Sequence, residues 1–331
     1  ILLRISLQRL IDYSPVLTRF RAGRSSMTSD QQYPPQSAGL PAIETLEVIA
    51  ADGVRNRLSL YPAAQARAVI LLMPAMGVRA EFYRPFARNL AQAGWHTVTA
   101  DLRGIGESSA RVKDGARFGY REMLEQDWTT NLEAVRQRFP DMPIYLVGHS
   151  LGGQLNALYA GLHPEHIAGL IFVSCGSVYF RGWQFPASLK ILTMSQVMRG
   201  ITEVLGYLPG KKIGFGGTEA KGVIRDWAHL ARTGQFRVAG STLDYEQAMQ
   251  SFGKPLLALS FSDDDFAPHA STRNLLQKLP AAPATHLQLQ PSDLGLAAVG
   301  HYGWVKHNQA LVERISAWLA KPWYMQPAST G

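Results

Sequence analysis

From Thr45 the chain falls into short apolar runs separated by longer amphipathic stretches. Leu46, Val48 and Ala50 alternate with polar neighbours. After Ala51-Asp52-Gly53 a second alternating run, Arg57-Leu58-Ser59-Leu60-Tyr61, predicts a β-hairpin at the edge of a sheet. The runs that follow are nearly continuous: 68–73, 97–100, 144–147, 170–173, 256–259 and 287–289. Stretches of helical period lie between most of them, at 80–93, 120–138, 151–162 and 303–319. Continuous apolar strands alternating with helices predict a parallel sheet covered on both faces, hence the α/β class.

One interval breaks the alternation. Between 181 and 254 no clean strand is predicted, only helix-like pieces at 187–208 and 220–232, separated by Pro209-Gly210 and a glycine-rich stretch at 214–217. The expected organisation is a core of 43–180 and 255–321, a helical insertion of 181–254, and tails at 1–42 and 322–331. Residues 1–26 precede Met27 and carry five arginines against the single acid Asp12. They are expected to be vector-derived or upstream-translated sequence, outside the native fold.

Composition narrows the class. A chain of 331 residues, 46% hydrophobic, is long enough to bury a sizeable core and too apolar to be disordered in bulk. A lone cysteine, Cys175, excludes an internal disulfide and a cysteine-rich zinc site; a reducing, cytoplasmic location is expected. No apolar run is long enough to span a bilayer. The net charge of +8 raises the question of nucleic acid. It concentrates in 1–26 and in 181–254, where ten Lys and Arg face five Asp and Glu, leaving the rest near neutral. No nucleic-acid-binding module accompanies it, so solvated basic residues are expected and no nucleic-acid partner.

The sharpest chemical signal is Gly148-His149-Ser150-Leu151-Gly152-Gly153, after a predicted strand and before a predicted helix. A G-x-S-x-G turn in that setting forces the serine into a strained conformation, and the flanking glycines relieve backbone contact. The helix start behind Ser150 offers unpaired N–H groups to an oxyanion. A serine nucleophile needs a base and the base needs an orienting acid, in the chain order serine, acid, histidine. The strand near 255–262 runs into Asp263-Asp264-Asp265, and Gly300-His301-Tyr302-Gly303 forms a glycine-flanked histidine loop. His301 is therefore the expected base. His96, His163, His166, His229, His269, His286 and His307 are expected to be structural or solvated.

With these residues in view, the chain resembles the serine hydrolases of the α/β-hydrolase superfamily across about 43–320, and in particular a largely uncharacterised bacterial group. The segment Asp101-Leu102-Arg103-Gly104-Ile105-Gly106-Glu107-Ser108 is similar to the family's D-x-R-G-x-G-x-S stretch. The pairing of Ser-Phe-Ser-Asp-Asp-Asp-Phe-Ala-Pro with Gly-His-Tyr-Gly-Trp carries the resemblance further. One departure is Pro74-Ala75-Met76-Gly77, where many members read His-Gly.

The resemblance implies a mostly parallel eight-stranded sheet flanked by helices, with 181–254 as a helical lid over its C-terminal edge. It implies an acyl-enzyme on Ser150, His301 as base, and backbone N–H groups of Met76 and Leu151 as the oxyanion hole, with neither metal nor organic cofactor. Members place their acid four residues before a turn-closing proline, so Pro268 selects Asp264. Asp263 and Asp265 are then expected to face solvent or nearby backbone N–H groups, and changes there to cost less than about tenfold. The expected substrate is a small ester with an apolar acyl part. Acyl transfer with the same triad, or a non-catalytic ligand-binding protein on this scaffold, are the alternatives. Cys175 is expected to be a small buried packing residue.

Overall fold

The computed structural model describes residues 41–321. The expectations for 1–26, for most of the N-terminal tail and for 322–331 lie outside them. Ten strands run in chain order: β1 Glu44–Ile49, β2 Arg55–Tyr61, β3 Val69–Met73, β4 His96–Thr99, β5 Ile144–His149, β6 Gly169–Val173, β7 Tyr207–Pro209, β8 Thr218–Ala220, β9 Leu256–Phe261 and β10 Ala284–Leu289. Eight of them form one sheet in the order β1-β2-β4-β3-β5-β6-β9-β10. β1 and β2 pair antiparallel as the predicted hairpin, β2 meets β4 antiparallel, and every further pairing is parallel.

Alternating side chains build two cores. Val69, Leu71 and Met73 of β3 enter one with Leu146, Phe172 and Ala258, beneath α2 Thr129–Arg138 and α3 Leu151–Leu162. Ile70 and Leu72 enter the other with Val147, Ile171 and Leu259, beneath α1 Arg84–Gln92 and the C-terminal helix Gln309–Leu319. A strand buried on both faces has no polar side, which is why these runs read as continuous.

The sheet's switch point falls between β3 and its neighbours β4 and β5, where an open α/β sheet leaves a crevice at its C-terminal edge. The residues 181–254 rise from that edge. Two helices, α4 Ala187–Leu205 and α5 Lys221–Thr233, pack along each other, and a third, α6 Tyr245–Gln250, lies against α3. The expectation of no strand here is corrected: β7 and β8 form a small antiparallel ribbon between α4 and α5. Each is three residues long, and Pro209 ends one of them, so neither leaves a readable alternation. The last helix also starts later than its period predicted, at Gln309, because Gly303–Val305 forms a separate 3-10 turn that buries Trp304 and Val305.

Candidate active site

Ser150 sits between β5 and α3 with φ 53° and ψ −118°, a conformation costing a non-glycine residue about 1–3 kcal/mol. The turn needs its glycines. A Cβ on Gly148 would lie 2.3 Å from Gly153 Cα, and one on Gly152 would lie 2.3 Å from the Met73 carbonyl. Leu151 is the first residue of α3, so its N–H has no partner within the helix. Met76 occupies the turn after β3, in which Val78 N–H donates to the Ala75 carbonyl at 3.1 Å.

Of the three aspartates, Asp264 meets the histidine. His301 Nδ1 lies 2.9 Å from Asp264 Oδ2 and 3.0 Å from Oδ1, with both side chains buried. Oδ1 also accepts the N–H groups of Phe266 and Ala267 at 2.9 and 3.1 Å. Burial works to raise the Asp264 carboxyl; the charge and hydrogen bond of His301 and the two N–H groups more than offset it, holding it below its ordinary value. That geometry orients an imidazole with Nε2 as its working nitrogen.

Asp263, as expected, accepts backbone N–H groups rather than meeting His301. Its Oδ2 accepts Val299 N–H at 2.7 Å and Gly300 N–H at 3.0 Å, the two residues leading into His301. It anchors the histidine loop, so its neighbouring N–H groups belong to the site. The backbone carbonyl of Asp265 accepts Trp183 Nε1–H at 2.9 Å, joining this loop to the insertion.

The insertion also abuts the turn that holds Met76. A Cβ on Gly77, whose φ is +72°, would lie 2.1 Å from Gly217 N, so the two loops touch backbone to backbone. Glu219 Oε1 accepts Gly217 N–H at 2.7 Å, and burial pushes its carboxyl up to about 7 against that hydrogen bond. Tyr302, beside His301, is raised by burial and by the charges of Asp264 and Glu219.

These elements meet at one edge of one sheet. A family model described as Hydrolase_4, serine aminopeptidase S33, matches residues 64–233. The chain belongs to this family. Its relatives include monoglyceride lipase of Rattus norvegicus, 26% identical over 113 residues, which are 34% of this chain and 36% of the relative. A putative carbamate hydrolase RutD of Caulobacter segnis is 29% identical over 135 residues, 41% of this chain and 45% of that one. The matched stretch thus spans less than half the length of these curated relatives. Among solved structures, a soluble variant of monoglyceride lipase from Saccharomyces cerevisiae, in complex with a substrate analog, aligns with TM-score 0.63 at 16% identity, covering 87% of this chain and 97% of that one. Est1E from Butyrivibrio proteoclasticus, with ferulic acid bound, gives 0.55 at 17%, covering 83% and 99%. At such identity these likenesses show the α/β-hydrolase fold.

Within this family member, several polar groups serve the scaffold. Asp101 accepts Ala80 N–H at 2.6 Å and Glu107 N–H at 2.9 Å, and Arg103 is buried between Asp127 and Asp52. The D-x-R-G-x-G-x-S stretch is therefore a structural clamp. Cys175 is buried, and its Sγ–H donates to the Ser150 carbonyl at 3.1 Å. Burial raises its thiol far above the range in which a thiolate forms. Two open concavities of 540 and 410 Å³ lie around Arg237–Tyr245 and around Ser177–Tyr179, and neither includes Ser150, Asp264 or His301.

Among the described residues, His163, Glu165 and His166 are grouped as metal ligands would be, but they lie beyond the C-terminal end of α3, with Ser150 at its start. Two residues had escaped the sequence reading. His149, buried in the elbow itself, has its ring 4.7 Å from that of His301, and Tyr83 lies 2.7 Å from His149 Nδ1. Position beside Ser150 was the one available signal for His149; nothing local marked Tyr83.

Proposed function

We propose that the protein is a serine hydrolase cleaving a carboxylic ester of a small substrate. His301, oriented by Asp264, takes the proton of Ser150 as its oxygen attacks the ester carbonyl. The N–H groups of Met76 and Leu151 stabilise the tetrahedral oxyanion, each contributing about 3–4 kcal/mol. His301 then protonates the departing alcohol, and water repeats the sequence to release the acid. The insertion acts as a lid: its apolar helices admit the acyl part beside the elbow, and its loops 216–217 and Trp183 close on the Met76 turn and the acid loop. The observation that carries this reading is the strained Ser150 at a helix start, on the same edge as a buried Asp264–His301 pair. Membership in a family whose relatives include monoglyceride lipase supports ester chemistry.

A chain-length series of p-nitrophenyl esters tests it with wild type and Ser150→Ala. Turnover is expected in wild type and a loss of at least about 10³-fold in the variant, with the best chain length bounding the acyl pocket. Equal turnover by the two proteins would reject the assignment.

A further inference from the structure

The Met76 turn, Pro74-Ala75-Met76-Gly77, contains no polar side chain with which to hold itself. A buried relay reaches it from two other elements. Ala75 N–H donates to Tyr83 Oη at 3.0 Å, and Tyr83 Oη lies 2.7 Å from His149 Nδ1. Tyr83 and His149 are both buried. Tyr83 has one hydroxyl proton and its oxygen accepts from Ala75; the arrangement that uses both capacities sends that proton to Nδ1 of His149. In that tautomer His149 carries its own proton on Nε2. That nitrogen is buried without a hydrogen-bond partner, near the His301 carbonyl, which itself accepts Trp304 Nε1–H at 3.1 Å.

The relay acts on a particular peptide plane. The Ala75 carbonyl and the Met76 N–H belong to the same peptide unit. Val78 N–H holds the carbonyl from one side, and Tyr83 fixes the nitrogen of Ala75 from the other. With both ends of Ala75 held, little rotation remains to Met76 N–H.

We propose that Tyr83 and His149 are a positioning pair for ester cleavage, tying the Ala75–Met76 peptide to the nucleophile elbow so that Met76 N–H points where the oxyanion develops. The pair rests on the reading of Ser150 as nucleophile and Met76 as donor. The imidazole must stay neutral: a proton on Nδ1 would displace the Tyr83 donation and set a positive charge 4.7 Å from the His301 ring. Burial secures this, driving His149 well below the ordinary histidine range; the charge of His301 adds to the effect and contact with the His301 backbone opposes it.

The test uses the full chain and p-nitrophenyl butyrate, after Ser150→Ala has established that wild-type turnover depends on Ser150. Tyr83→Phe and His149→Leu are expected to lower kcat by roughly 10–100-fold with KM within about threefold, the size expected of an oxyanion donor displaced by a fraction of an ångström. His149→Asn, which restores an acceptor near Nδ1, is expected to recover to within about fivefold of wild type. The double variant should be no worse than the poorer single one, because both break one relay. Affinity for a trifluoromethyl ketone, which forms a tetrahedral adduct, should fall in parallel with kcat/KM. A merely structural role would lower the folded fraction and leave that affinity unchanged, which would overturn the proposal. So would folded Tyr83→Phe and His149→Leu proteins that keep kcat within twofold. If the variants do not fold, nitrogen NMR of wild-type His149 decides: a neutral Nε2–H ring is expected at the pH of the assay, and an Nδ1–H or charged ring there refutes the relay.

Discussion

Strands β3, β6 and β9 bury every residue they contain, whereas α4, at 19 residues, buries only Ser195, Met198 and Thr202 and leaves Leu189, Val197, Val204 and Leu205 exposed. Both regions reach the same sheet edge. The core strands are packed from two faces, so the turns at their C-terminal ends inherit fixed positions. The helix α4 packs mainly along α5, where the Gln196 amide donates to the Ala228 carbonyl, and also meets β7 and the turn at 180–182. A site that tolerates little displacement belongs on the first kind of scaffold, and Ser150, Asp264 and His301 all lie on core turns. The insertion meets that site through its loops and Trp183.

Substitutions at core turns should therefore dwarf those in the insertion. Asp264→Asn is expected to cut kcat about 10³–10⁴-fold, since an amide can hold the imidazole in the wrong tautomer. Ester turnover of the folded variant within tenfold of wild type would break the distinction at its strongest point. Asp263→Ala should follow at about 10–100-fold in kcat, because it releases the Val299 and Gly300 N–H groups and loosens the His301 loop. A loss below about tenfold, as its sequence implied, would make this anchor dispensable to the His301 loop.

Within the insertion, Glu219→Gln should act on stability and pH dependence. The folded carboxyl titrates at about 7 against an ordinary 4.5, raised by burial. Stability is therefore complete below about pH 4.5, falls as pH rises towards 7, and is flat beyond it. The amide keeps an acceptor for Gly217 N–H and removes the titration. Its Tm should exceed that of wild type at pH 8, by an energy on the order of 1–3 kcal/mol, and match it near pH 4.5. A Tm difference independent of pH would place the carboxyl in water. The smallest effect is expected at Cys175→Ser: the hydroxyl can still donate to the Ser150 carbonyl, so turnover should stay within about tenfold. A loss comparable to that of Ser150→Ala would make the thiol part of the chemistry.

The parallel core, the elbow at Ser150 and the loop at His301 could be read from the chain because each has a local cause. Double-sided burial writes continuous apolar runs, and a strained serine between strand and helix needs glycine at fixed offsets. Only the tertiary structure decided what depends on distant partners. Residue type alone does not separate three adjacent aspartates, and it took the family resemblance and Pro268 to select Asp264; the turn after β9 brings Asp264 to His301, 37 residues away, and also sends Asp263 to the Val299–Gly300 backbone, which no pattern in the chain announced. The β7–β8 ribbon was hidden because its strands are shorter than one readable period. The contact of Tyr83 with His149 spans 66 residues, so no pattern along the chain could announce it. Local conformation is set by neighbours in sequence and is legible there; hydrogen-bond partners of buried polar groups are set by the packing of whole elements, which only the folded molecule fixes.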